Sequence, residues 1–333
     1  MDWKGIPAPV RACCEALWGA GHQALPVGGC VRDSLLGRTP GDWDVTTSAR
    51  PEETMALFAH TVPTGIQHGT VTVLLDGMAL EVTTFRGEAG YSDGRHPDAV
   101  TFGVGLTEDL ARRDFTVNAM ALAPDGGLVD PFGGQADLER RLIRCVGDPD
   151  RRFREDGLRL LRAVRFAAQL GFGLEEGTRE ALARNGERLD RVSGERVKAE
   201  LEKILLSPQP ELAALPAELG MLARFGVPAG AVDLSALGAV PGEPIPRWTA
   251  FCKATGLDIT KLPVERALRR AVLHPELAEL DGLALTGGAL YAMGFRGGEI
   301  SAVRRRLLEH VRAHPEDNEA GRLAEVVRGF GRE

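Results

Sequence analysis

Residues 28–44 read GGCVRDSLLGRTPGDWD, and no other stretch restricts the fold as tightly. The apolar Leu25-Pro26-Val27 ends at two glycines. Gly29 to Leu36 then reads as a short helix stopped by Gly37. Glycine permits a sharp turn and a close backbone approach, and the exposed N–H groups at a helix start bind phosphate. Arg32 lies one turn in and adds a charged fork. Asp42, thirteen residues beyond Gly29, opens a strand reading that runs through Asp44 to Thr47. Side chains alternate along a strand, so Asp42 and Asp44 are expected on one face and Trp43 on the other, toward a core.

The surrounding pattern is mixed. Residues 70–75 (TVTVLL) and 78–85 read as two strands joined at Asp76-Gly77, a dipeptide suited to a tight hairpin. Beyond about residue 130 strand patterns are scarce. Leu160, Val164 and Ala167 give residues 151–170 a helical period, and 194–206, 265–273 and 298–312 also read as helices. Residues 207–246, rich in Pro, Ala and Gly, read as short helices and loops. The expected fold is α+β, with a small mixed head (1–129), a helical neck (130–206) and a helical body and tail (207–333).

Two carboxylates this close repel unless a cation lies between them, and Mg²⁺ takes oxygen ligands from carboxylates and phosphates. Glu81 sits in an otherwise apolar strand and could supply a third ligand from a neighbouring strand. Such a trio can hold ions that activate an attacking hydroxyl and stabilise leaving pyrophosphate. Each feature also has a plain alternative: a solvated loop for the DxD, a wet strand face for Glu81, a structural turn for the glycine pair. Their combination at this spacing is what points to nucleotide chemistry.

The chain has 333 residues and a net charge of −7. The charge argues against broad nonspecific nucleic-acid binding, though not against a local basic surface; Lys and Arg exceed Asp and Glu across 139–198. No apolar run reaches the roughly 18 residues of a membrane span, and no signal peptide is expected. Five cysteines without CxxC spacing suggest neither disulfides nor zinc, and fit a reducing cytoplasm.

The pattern GGxVRDxLLGR…DxD resembles the signature of the polymerase-β-like nucleotidyltransferases, specifically the bacterial-type (class II) CCA-adding enzymes and poly(A) polymerases. The resemblance continues through EVTTFR (81–86), RRDFTVNAMAL (112–122), DPFGGQADLERRLIR (130–144), REDGLRLLRAVRFAAQLGF (154–172) and GERVKAELEKILL (194–206). A weaker match at 294–311 resembles the tail of CCA-adding enzymes. It implies catalytic and metal-binding roles for Asp42, Asp44 and Glu81, with Mg²⁺ as cofactor. It implies nucleotide binding by Gly29, Arg32, Arg113, Asp156, Arg159, Arg162 and Arg165, and places Asp114 and Asn118 near the ribose.

Asp156, Arg159, Arg162 and Arg165 recur every three residues. On one straight helix Asp156 and Arg165 would lie nearly opposite each other, which suggests divided roles; an exposed, salt-bridged helix is the bland alternative. A carboxylate accepts from an exocyclic amine while a guanidinium donates to a ring nitrogen, so an Asp–Arg pair suits cytosine and adenine and rejects uracil and guanine. The resemblance implies this template role for Asp156 and Arg159. The expected activity is addition of C, C and A to a tRNA 3′ end from CTP and ATP. Alternatives are an A-adding enzyme or poly(A) polymerase, a small-molecule nucleotidyltransferase, and a noncatalytic RNA-binding module. Residues 86–102 match the family's loop in full length, which favours addition of the terminal A; His96 within it receives no chemical role. No His-Asp dipeptide occurs, so no phosphohydrolase activity is expected.

Overall fold

The computed structural model describes residues 3–91, 98–275, 280 and 282–330. His96 lies outside the described residues. The head begins with α1 (Ala8–Gly19) and β1 (Ala24–Pro26), turns at Gly28 into α2 (Gly29–Leu35), and returns as β2 (Asp44–Thr47). After α3 (Pro51–Leu57) come β3 (Thr61–Gly65), β4 (Thr70–Leu75) and β5 (Met78–Thr84). These strands form one sheet in the order β1-β2-β5-β4-β3, parallel only between β2 and β5. Asp76 and Gly77 both take positive φ, 48° and 78°, as a two-residue hairpin turn requires. Val71, Val73, Leu80 and Val82 are buried, while Glu81 between the last two is exposed.

A hairpin of β6 (Arg86–Ala89) and β7 (Ala99–Phe102) leads to α4 (Leu106–Ala111). The rest is helical apart from two-residue strands: α5 (Gly134–Arg140), α6 (Pro149–Glu155), α7 (Leu158–Leu170), α8 (Glu176–Asn185) and α9 (Gly194–Leu205). Short turns and α10 (Ala214–Glu218) fill the stretch before α11 (Pro244–Thr255) and α12 (Arg266–Leu273). The chain ends in α13 (Gly287–Ala292), α14 (Gly298–Ala313) and α15 (Ala320–Gly329). One core runs from Ile6 to Leu268, so the sheet and the helices through α12 share an interior. Residues from Leu280 to Val327 pack around a separate small core. Among the described residues no helix is long and apolar enough to cross a membrane.

Two local expectations change. Asp42 lies in a bend and β2 starts at Asp44, because the Pro40-Gly41 segment breaks the extended chain. Strand alternation therefore does not align the two acids, although Trp43 does point inward at 6% exposure. Residues 151–170 are also two helices. Asp156 is extended (φ −145°, ψ 112°), and its carboxylate accepts from Leu158 N–H at 2.9 Å, which ends α6 and starts α7. Gly157 is needed at this break, since a Cβ there would meet the Arg188 carbonyl at 2.7 Å.

Candidate active site

A cavity of about 580 Å³ lies between α2, the start of β2, the 112–118 segment, α7 and α9. It is lined by eight basic side chains (Arg32, Arg112, Arg113, Arg159, Arg162, Arg165, Arg196 and Lys203) and four acidic ones (Asp42, Asp44, Asp114 and Asp156). A chain of net negative charge thus concentrates positive charge where a polyphosphate would sit.

Gly28 (φ 82°) makes the turn into α2, and a Cβ there would meet Arg113 Nη1 at 2.8 Å. Gly29 begins the helix at the cavity wall. Arg32 is 8% exposed. It donates to Asn118 Oδ1 at 2.5 Å and forks onto Asp33 at 2.9 and 3.0 Å, so its guanidinium is fixed before any ligand arrives.

Asp44 is the first residue of β2, an inner strand of the sheet, and is paired in register with Glu81 on β5. Burial pushes its carboxyl up to about 6; Arg113 opposes this, while Glu81 and Asp42 add to it. Asp42 and Asp44 line the cavity, and Glu81 does not. Among the described residues no three His, Cys, Asp or Glu side chains stand close enough to hold an ion by themselves. Nevertheless, the donors near Asp44 are all carboxylate oxygens, the chemistry that a hard divalent cation prefers, and such an ion commonly completes its shell with water and phosphate.

The basic wall is held by buried acids. Asp109, fully buried, accepts from Arg112 at 2.8 Å and Thr46 Oγ1 at 3.0 Å, and pairs with Arg113 at 3.5 Å. Burial would raise Asp114, but Arg162 and Arg159 hold it down at about 2. Arg162 Nη2 meets Asp114 Oδ2 at 2.5 Å, and Asn118 donates to Asp114 Oδ1 at 3.2 Å. Arg165 pairs with Glu200 at 2.6 Å and stacks over Phe166, 3.9 Å from its centroid. Arg159 donates to Glu155 at 2.5 Å and to the carbonyls of Arg152 and Arg112. Three of its five N–H groups are so engaged.

A model of the Poly A polymerase head domain matches residues 24–144, and one for a probable RNA and SrmB-binding site of polymerase A matches 171–224. The CCA-adding enzyme of Limosilactobacillus fermentum is 46% identical over 79% of this chain and 68% of its own length. The chain belongs to the CCA-adding enzyme family. The CCA-adding enzyme of Geobacillus kaustophilus is 48% identical over 72% of this chain and 60% of its own length. The crystal structure of the Bacillus stearothermophilus CCA-adding enzyme in complex with CTP superposes with a TM-score of 0.67 at 31% identity, covering 97% of this chain and 99% of that one. The chain spans 60–68% of the length of the two curated relatives.

Within this CCA-adding family member, Gly29, Arg32, Asp42, Asp44, Arg113, Asp156, Arg159, Arg162 and Arg165 all line one cavity. Glu81 stands apart from that lining as Asp44's strand partner. The break at Asp156 lets Asp156 and Arg165 face the same space, which a straight helix would not. Asp156 does not pair with Arg159 here; it pairs with Arg196 of α9 at 2.7 Å. Sequence reasoning missed Asp109, Glu155, Arg112, Arg196 and Lys203. The four-residue spacings Asp109–Arg113 and Glu155–Arg159 were a usable signal. Asp156 and Arg196 are 40 positions apart, and nothing in the sequence joins them.

Proposed function

We propose that this chain is a CCA tRNA nucleotidyltransferase: it adds C, C and A to the 3′ end of tRNA, using CTP and ATP. The tRNA 3′-oxygen bonds to the α-phosphorus as the bond to the β-phosphate oxygen breaks. Pyrophosphate leaves, and the hydroxyl proton is lost to water. The observation that carries this reading is that Asp42 and Asp44 line the same cavity as Asp156 and Arg159. In this reading the carboxylates would act at the phosphate end of one bound nucleotide and Asp156 and Arg159 at its base.

The Gly28-Gly29 turn and Arg32 would seat the triphosphate, with Arg162 and Arg165 along the same wall. Asp156 would accept from the exocyclic amine of C or A, and Arg159 would donate to the ring nitrogen through an N–H not engaged by Glu155. Asp114 and Asn118 would lie by the ribose. Asp42 and Asp44, helped by Glu81, would hold Mg²⁺, an assignment supported by the all-oxygen donor set. The ion would favour hydroxyl attack and stabilise the pyrophosphate charge. We read residues 1–129 as the catalytic head, 130–206 as the neck with the nucleotide-selecting helix, and 207–333 as the tRNA-binding body and tail. A cytoplasmic setting fits a tRNA substrate and five cysteines that are buried and free.

The test is incubation with Mg²⁺ and tRNAs ending before CCA, after C and after CC, each with CTP, ATP or both. Completion to CCA and no further is expected. Addition of A alone, or of a long A tail, would replace this reading with that of an A-adding enzyme or a poly(A) polymerase. No addition to any of the three would overturn it.

A further inference from the structure

Asp156 is not held as an isolated carboxylate. Its Oδ1 accepts from Leu158 N–H at 2.9 Å and from Arg196 Nη1 at 3.3 Å. Its Oδ2 accepts from Arg196 Nη2 at 2.7 Å. A carboxylate oxygen offers two in-plane lone pairs. Both on Oδ1 are therefore used, while Oδ2 keeps one free among the described contacts. Arg196 comes from α9, a different helix from the one that Asp156 caps, and it lines the same cavity.

We propose that Arg196 is a positioning residue for base selection: its two-pronged grip orients Asp156 so that a single acceptor site faces the incoming base. This inference rests on the template reading of Asp156 and Arg159. A planar fork on both oxygens fixes the carboxylate plane as well as its place, which a single bond cannot do. The free Oδ2 lone pair suits one amine hydrogen of cytosine or adenine. The carbonyl oxygen that uracil or guanine presents there would face an acceptor and find no donor. Asp156 lies at the break between α6 and α7, where its extended backbone belongs to neither helix. The required rigidity therefore comes across the cavity from α9.

The test is steady-state addition to a tRNA lacking CCA by the full chain, its Arg196→Met and Arg196→Lys variants, Asp156→Asn, and the Asp156→Asn/Arg196→Met double variant. Urea denaturation and tRNA binding are measured alongside. Arg196→Met keeps the volume and removes the fork. It should raise KM for CTP and ATP about tenfold, leave kcat within about threefold, and weaken exclusion of UTP about tenfold, the size of a lost bidentate contact. Arg196→Lys, which keeps the charge but not the fork, should fall between parent and Arg196→Met. In the Asp156→Asn background the Arg196→Met effect should largely vanish, because the residue acts through Asp156. If Arg196→Met selects and binds nucleotides as the parent does, the inference is wrong. Equal, additive losses in both backgrounds would also overturn it. If the parent itself adds neither C nor A, the functional reading fails instead, so the two failures are distinct.

Discussion

Arg162 of α7 and Asp114 of the head meet at 2.5 Å, 48 positions apart in the chain, and this pair fastens α7 to the head. Asp114 is 7% exposed, and its other oxygen takes bonds from Phe115 N–H and Asn118. Through Asn118 the link continues to Arg32, so one hydrogen-bonded series ties α7 to α2.

Removing one partner should cost more than a surface ion pair, because it leaves a buried carboxylate short of a donor. Arg162→Ala is expected to destabilise the protein by about 2 kcal/mol, the range for a hydrogen bond to a charged group, read from the midpoint of urea unfolding. A carboxylate held at about 2 stabilises the fold above its ordinary range near 4 and loses that contribution as pH falls through 2. The parent should therefore shed this stability between about pH 4 and pH 2, and Arg162→Ala should show less of that loss. Equal acid sensitivity in both proteins would refute the pairing.

Asp44 is strained in the opposite sense: burial and the nearby carboxylates Glu81 and Asp42 disfavour its charge. Asp44→Asn should abolish nucleotide addition yet stabilise the chelator-treated protein by about 1 kcal/mol. Added Mg²⁺ should raise the melting temperature of the parent and not of the variant. Asp42→Ala should likewise lose addition while tRNA binding stays largely intact. Normal addition by either variant would end the metal assignment.

In the proposed function Arg159 carries the ring-nitrogen half of the template. Arg159→Ala should lower discrimination against UTP and GTP about 10- to 100-fold, as expected for one lost base contact, while Mg²⁺-induced thermal stabilisation changes little. A variant that still excludes UTP and GTP as well as the parent does would sink the template reading.

Gly157 gives a separate handle on the same feature. A methyl there would press on the Arg188 carbonyl, and backbone does not yield cheaply. Gly157→Ala should cost about 1–3 kcal/mol and, by shifting Asp156, raise KM for CTP and ATP more than it lowers kcat. Unchanged stability and KM together would show that the break tolerates a side chain.

Local chemistry was readable from the chain alone. Gly28-Gly29 made the turn, Asp76-Gly77 made the hairpin, and alternation buried Val71, Val73, Leu80 and Val82 while exposing Glu81. The helical period of α7 buried Leu160, Val164 and Ala167. All of these depend on backbone preferences and on burial repeating over a few residues. The resemblance added which acids and arginines to watch. Tertiary structure decided the rest. It broke the 151–170 helix at Asp156, moved Asp42 off the strand, and set Glu81 beside Asp44 but outside the cavity lining. It also gave these arginines their anions: Asp114 for Arg162, Glu200 for Arg165, Glu155 for Arg159, and Asp156 for Arg196. A buried charge must find a partner wherever the fold brings one near, and proximity between residues 40 or 48 positions apart is a property of packing that no local pattern records.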